Sequence, residues 1–273
     1  MSVADIANPR ISPSPDKWLK RAGTTWFYVA ALGQLAFIYF IAVYYGTRTF
    51  NGDWEGWNDK PIIHGHIEND LAGNLMFISH VAMAAVITFG GLVQLIPTLR
   101  QRAPSFHRWN GRIFVLVAVF MSLGGLWLGW VRGTRLSLIA GIAVSLNGIL
   151  ILVCVAGALR FARMKKFELH RRWAMRTFMV VNGVWFLRVG MMAWIMANQG
   201  PRGMNSTMSG PADIMITFGS YLIPLAVLEL YLAAQRSRNA QTKWVATAAV
   251  STATLVTALG VFGTVAFMWG PYL

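Results

Sequence analysis

Two histidines open the chemical reading of this chain. His107 and His170 stand in near-duplicate segments, Phe106-His107-Arg108-Trp109-Asn110-Gly111-Arg112-Ile113-Phe114 and Leu169-His170-Arg171-Arg172-Trp173-Ala174-Met175-Arg176-Thr177-Phe178. Each copy sets a Trp and an Arg three residues apart, on one face of a helix, with a Phe two further on. The pattern is that of a duplicated helical hairpin, although the His-to-Trp spacing differs by one residue. Two imidazoles that approach across a helical bundle can ligate haem iron. Arg108, Arg112, Arg171, Arg172 and Arg176 would then neutralise the haem propionates through charge-assisted hydrogen bonds. The same basic, aromatic-flanked segments equally suit the phosphates of anionic lipids at a membrane surface. A quinone or another amphipathic ligand is the third reading.

A second set of polar residues lies inside long apolar runs: His80, Gln94, Asn147, Asn182, Arg188 and Glu229. Polar groups in hydrocarbon are costly and mark function by default. The plainer alternative is that they join helices, each hydrogen bond contributing about 1 kcal/mol. His80 and Asn147 fall at similar depth and Arg188 about ten residues from the outer end of its helix, and the three are expected to face one cavity in the outer half. Glu229 falls at the depth of Arg112 and Arg176, where an ion pair is expected. His64-Gly65-His66, followed by Glu68 and Asp70, alternates candidate metal ligands in a loop, but spacing this short is common by chance. No phosphate-cradling glycine loop, Ser-His-Asp pattern or zincin motif is present, which argues against hydrolase and nucleotide chemistry.

The elements that position these residues follow from composition. Of 273 residues 56% are hydrophobic and only 12% charged, with a mean hydropathy of +0.50. Lipid is the solvent that such a balance calls for. Apolar runs stand at about residues 25–45, 71–97, 110–131, 136–160, 173–197, 212–234 and 245–269, each long enough to cross a hydrocarbon layer about 30 Å thick. The expected fold is an all-α polytopic transmembrane bundle of seven spans. Residues 1–24 form an N-terminal cytoplasmic segment and residues 25–273 a single transmembrane domain, with the functional core at 71–235 and the two terminal helices packed outside it. The one cysteine, Cys154, lies in an apolar run, so no disulfide framework exists. The first run is read as a retained anchor rather than a cleaved signal.

Orientation follows from charge. Most of the 24 Lys and Arg residues collect in alternate loops, which places the N-terminus in the cytoplasm and the C-terminus on the far side. Topology thus accounts for the formal charge of +14, and nucleic acid is not expected as a partner. Trp18, Trp109, Trp173 and Trp244 form the expected inner aromatic belt. Asp70 and Asp213 are expected at outer helix N-termini, where a carboxylate suits the helix dipole. The outer connection 46–70, rich in Trp and acidic residues, is a candidate for an amphipathic segment along the membrane surface.

His80, Gln94, the turn ending in His107-Arg108-x-x-Gly111-Arg112, then His170-Arg171-Arg172-Trp173, Arg176, Arg188 and Glu229 together resemble the family of bacterial membrane proteins termed domain of unknown function 2306. The resemblance covers roughly residues 71–235. It implies a protein of the bacterial inner membrane and singles out these polar positions, with no established activity to carry over. A weaker architectural resemblance is to the cytochrome b561 type of electron carrier, in which paired histidines on alternating helices hold two haems. His107 and His170 suit one such pair, whereas the outer pair is incomplete because Asn147 stands opposite His80.

These readings converge on a redox-associated membrane protein that binds b-type haem or a quinone, with His107 and His170 as axial ligands. The competing reading is a non-enzymatic transporter, receptor or assembly partner, with His80, Gln94, Asn147, Arg188 and Glu229 as a buried polar network. Besides the lipid bilayer, a membrane protein or a second copy of the chain is the expected kind of partner.

Overall fold

The computed structural model describes residues 14–60 and 65–273. Its helices are α1 (Pro15–Phe40), α2 (Thr47–Phe50), α3 (Leu71–Gln94), α4 (Pro97–Arg102), α5 (Pro104–Trp130), α6 (Leu138–Arg163), α7 (Phe167–Val181), α8 (Gly183–Ala197), α9 (Pro211–Arg236) and α10 (Ala240–Gly263). A π-turn over Ile41–Gly46 joins α1 to α2, so Pro15–Phe50 is one continuous helix. A second π-turn, Thr264–Trp269, extends α10. No strand occurs among the described residues.

Local chemistry sets where these helices begin. Proline, whose missing N–H costs nothing in a first turn, opens α1, α4, α5 and α9. Asp70 caps α3 by accepting from the Gly73 amide, and Ser137 caps α6 through Ala140. Asp213 accepts from the amides of Gly210 and Asn205 at the start of α9. Both carboxylates therefore sit at the helix N-termini where the sequence put them. Inside the helices, hydroxyls such as those of Thr88, Ser122, Thr177 and Thr254 donate to the carbonyl four residues back. None of these hydroxyl donors is then left to be solvated by hydrocarbon.

Six helices are long and apolar enough to cross a membrane, and the pair Phe167–Val181 and Gly183–Ala197 makes a seventh if it counts as one span. The seven apolar runs are thus all helical. The structure lengthens several: the first helix starts at Pro15, inside the segment assigned to the N-terminal extension, and the fifth starts at Phe167. The fifth is also broken, with a bend of 54° between its halves. Asn182 ends α7, and its side-chain amide donates to the Phe178 carbonyl at 2.8 Å, satisfying an acceptor at the break.

Packing follows chain order in part: α3 lies along α5, and α6 along α5 and α7. The terminal helices depart from expectation. They do not simply flank a core built from 71–235, because α1 packs along α10, and α10 along α8. The largest buried cluster joins Phe37, Phe40 and Tyr44 of the first helix to Trp185 of α8 and Trp269 beyond α10. Meanwhile Leu32, Leu116 and Leu255 are each about 70% exposed on the outer faces. Large aliphatic side chains facing outward all around a helical bundle are what lipid contact requires.

The described residues of the connection between the first helix and α3 are tied to the bundle end. Trp57, in a 3₁₀ turn at Glu55–Asn58, is only 2% exposed. Tyr44 donates to the Gly56 carbonyl, and the Asn58 carboxamide accepts from the Gly65 and His66 amides. Arg132, following α5, donates to Asp70, Asn74 and the Gly65 carbonyl. These bonds lock the connection onto the starts of α3 and the turn after α5.

Candidate functional site

At the basic end of the bundle, His107 lies in the first turn of α5 and His170 in the first turn of α7. The His170 Nδ1 lies 2.9 Å from the Ala158 carbonyl of α6. A carbonyl only accepts, so Nδ1 carries the proton and Nε2 is left free. The His107 backbone carbonyl accepts from the Gln94 side chain at 2.8 Å, which ties the end of α3 to α5.

The arginines around this pair divide into two groups. Arg171 and Arg172 both donate to Glu168, and Arg176 makes a bidentate pair with Glu229 at 2.6 and 2.8 Å. This is the ion pair expected for Glu229, formed with Arg176 and not with Arg112. Arg108 donates to Ser105, and Arg112 lies over the Trp109 ring. Neither Arg108 nor Arg112 has a carboxylate within 4 Å among the described residues.

The duplicated Trp-x-x-Arg acts alike in both copies. The guanidinium of Arg112 sits 4.7 Å from the Trp109 centroid and that of Arg176 sits 4.9 Å from the Trp173 centroid. Trp18 and Arg21 repeat the contact in α1 at 5.4 Å. Each such contact is worth about 0.5–1 kcal/mol when exposed.

No hydrogen bond joins His80, Asn147 and Arg188 to one another among the described residues. His80 packs on α5 where Gly124 and Gly125 leave room, and its Nδ1 has no partner. Asn147 lies against Gly183 at the break between α7 and α8, with its Oδ1 unpaired. Gln94 faces Gly111. Arg188 donates to the Val184 carbonyl and lies 5.6 Å from the Phe37 centroid. Glycine is what allows several of these approaches. A Cβ at Gly183 would stand 2.6 Å from Asn147, and one at Gly157 would stand 2.5 Å from the Trp173 ring.

Several contributors escaped the sequence reading. Asn110 donates to the Gly90 carbonyl at 2.9 Å, so the His-Arg-x-x-Gly-Arg segment fastens α5 to α3 through both Asn110 and the space at Gly111. Gln34 of α1 is fully buried with neither amide atom paired. Its polar type within an apolar run was the available signal. Lys60 donates to the Met268 carbonyl and lies over the Phe40 and Tyr272 rings at 4.5 and 4.6 Å. Burial, followed by the charge of Arg188, pushes its pKa down from 10.5 to about 8. Of the loop ligands considered for a metal, His64 lies outside the described residues. Among the described residues no group of three or more His, Cys, Asp or Glu side chains is placed to hold an ion.

Helices of this length and composition, with charge gathered at their ends and aliphatic side chains outward, define a multi-pass α-helical membrane protein. A family profile described as predicted membrane protein, domain of unknown function 2306, matches residues 77–232. That is more than half of the chain, and the chain belongs to this family. Neither the curated proteins nor the solved structures gave a match.

Proposed function

We propose that the protein is a redox-associated protein of the bacterial inner membrane, with its N-terminus in the cytoplasm, that binds b-type haem between His107 and His170. The observation that carries the reading is the His170 imidazole: its Nδ1–H is committed to the Ala158 carbonyl. Metal-ligating histidines are held in just this way, by a backbone acceptor that fixes the tautomer and leaves Nε2 for the metal. The orientation rests on the basic loops. Haem would supply one-electron transfer.

His170 supports a place for the iron, and the arginines support places for the propionates only in part. Arg108 and Arg112 have no carboxylate within 4 Å among the described residues and would take that role, whereas Arg171, Arg172 and Arg176 already pair with Glu168 and Glu229. A quinone would use the same Nε2 as a hydrogen-bond partner, but its binding would not call for two imidazoles. Protein purified in mild detergent should show a Soret band that shifts on reduction with dithionite. His107→Ala and His170→Ala should each remove it, and His80→Ala should retain it. A folded, colourless preparation would contradict the proposal.

A second reading, a non-enzymatic transporter, is favoured by the fifth span. Transport proteins place substrates beside helices broken in mid-membrane, and the unpaired Asn147 oxygen lies at such a break.

A further inference from the structure

We infer that the cleft where α1, α7 and α9 converge, at the basic end of the bundle, binds a phosphate ester. The site is independent of the haem reading, because neither imidazole lines it and neither does Arg108 or Arg112.

The cleft encloses about 570 Å³, a volume typical of small-ligand sites. Two leucines close its base: Leu19 of α1 is 3% exposed and Leu232 of α9 is 2% exposed. Contacts between the three helices hold it open at a fixed width. Arg171 of α7 donates to Gln235 of α9 at 3.3 Å. Gly23 of α1 comes so near α9 that a Cβ there would stand 2.9 Å from the Tyr231 hydroxyl.

Charge decides what such a cleft accepts. Lys20, Arg171, Arg172 and Arg236 line it together with two acids, Asp16 and Glu168. Both acids are already engaged. Each sits in the first turn of its helix, α1 or α7, where a carboxylate suits the dipole. Glu168 accepts from Arg171 and Arg172 at 3.2 Å, and Asp16 takes the Lys243 ammonium at 2.6 and 2.7 Å. Five cations therefore face two carboxylates, and neither Lys20 nor Arg236 has a carboxylate within 4 Å among the described residues. Residues 1–13 contain one acid and one base, Asp5 and Arg10, and leave that balance unchanged.

The donors left over define the ligand. Arg172 commits only its Nε, to Glu168, and Arg236 only its Nε, to the Leu232 carbonyl. The terminal nitrogens of both guanidiniums and the Lys20 ammonium are then open donors on one cleft. Arginine forks with a lysine point charge beside them are the set that phosphate oxygens take. Trp18, two residues before Lys20 and 41% exposed, puts the cleft at the level of the lipid headgroups, where phosphate is the prevailing anion. An anion there also relieves the repulsion among the cations.

The test is thermal stability of the full chain in an uncharged detergent at fixed ionic strength, titrated with sodium glycerol 3-phosphate, phosphatidylglycerol or phosphatidylcholine. The expected result is a saturable rise in Tm with an anionic phosphate ester. Glycerol 3-phosphate acting, with or without phosphatidylglycerol, identifies a soluble ester; phosphatidylglycerol acting alone identifies a lipid headgroup. Lys20→Gln and Arg236→Gln should each weaken the apparent affinity about fivefold, the worth of one basic residue beside an anionic lipid. Both positions are exposed and neither change breaks an ion pair, so both variants fold. Arg163 is an exposed cation at the same end of the bundle but outside the cleft, and Arg163→Gln should leave the affinity as it is. No saturable shift with either anionic ester, equal shifts with phosphatidylcholine and phosphatidylglycerol, or cleft variants that bind no more weakly than Arg163→Gln would overturn the inference.

Discussion

Lys60 shows how a single side chain couples environment to pH. Its ammonium faces the Phe40, Tyr44 and Tyr272 rings and the Met268 carbonyl, with Arg188 as its cationic neighbour and Arg48 paired to Asp59 nearby. Its pKa is about 8 in the folded protein against an ordinary 10.5. Between those values the unfolded chain binds the proton and the folded chain does not, so stability rises with pH across that window. Below about pH 8 both states carry the charge and the penalty is constant. Measured as Tm against pH in detergent, wild type should gain stability between pH 8 and 10 relative to Lys60→Met, and parallel curves would refute this. Asp70 works in the opposite sense. The Arg132 guanidinium and then the Gly73 amide hold its carboxyl below the usual range, so its contribution is present at neutral pH and lost as pH falls through that lowered value.

The same residue scale separates what sequence can and cannot disclose. A carboxylate at the depth of an arginine, Glu229 with Arg176, was legible because both positions follow from span boundaries. Tryptophan and arginine three apart were legible because helix geometry alone brings them together. Lys60 and Gln34 were not, because their meaning depends on which helix stands opposite. That is a property of packing, not of spacing.

At the scale of elements, glycine sets how closely helices approach. Gly260 of α10 abuts the Val189 backbone of α8, and Gly263 faces Met192 and Met196. Small residues are what allow such contact where lipid offers no hydrophobic drive for helices to associate. A Cβ at Gly260 meets backbone, which cannot rotate away, so Gly260→Ala should cost about 1–3 kcal/mol, the range for overpacking. Gly129→Ala, where a Cβ meets nothing within 4 Å, should cost far less. Thermal unfolding of the two variants in one detergent checks the order, and equal losses would show that α8 and α10 are not so tightly joined. The break in the fifth span belongs to this scale too. Its apolar run reads as continuous, and only the Asn182-Gly183 dipeptide signals a turn. Tertiary contact with Asn147 on α6 is what makes that signal count.

At the scale of the molecule, the architecture follows from seven apolar runs and their polar interruptions. Hydrocarbon leaves the chain few alternatives to helices. What they did not give was the arrangement of the terminal helices. Both α1 and α10 enter the main buried cluster, and Trp269, near the C-terminus, stacks on Phe37 and Phe40 at 5.4 and 5.6 Å. The main buried cluster therefore includes residues outside the matched stretch 77–232.

The proposed function places the basic end of the bundle in the cytosol and the Lys60 end outside, an orientation that rests on the basic loops. The direct measurement is labelling of intact cells with a membrane-impermeant thiol reagent, using Lys165→Cys and Thr207→Cys in a Cys154→Ser background. Thr207 lies in the exposed turn before α9 and Lys165 in the exposed turn between α6 and α7. The account predicts label at position 207 in intact cells and at position 165 only after permeabilisation. Label at 165 from outside, or at both positions alike, would contradict it.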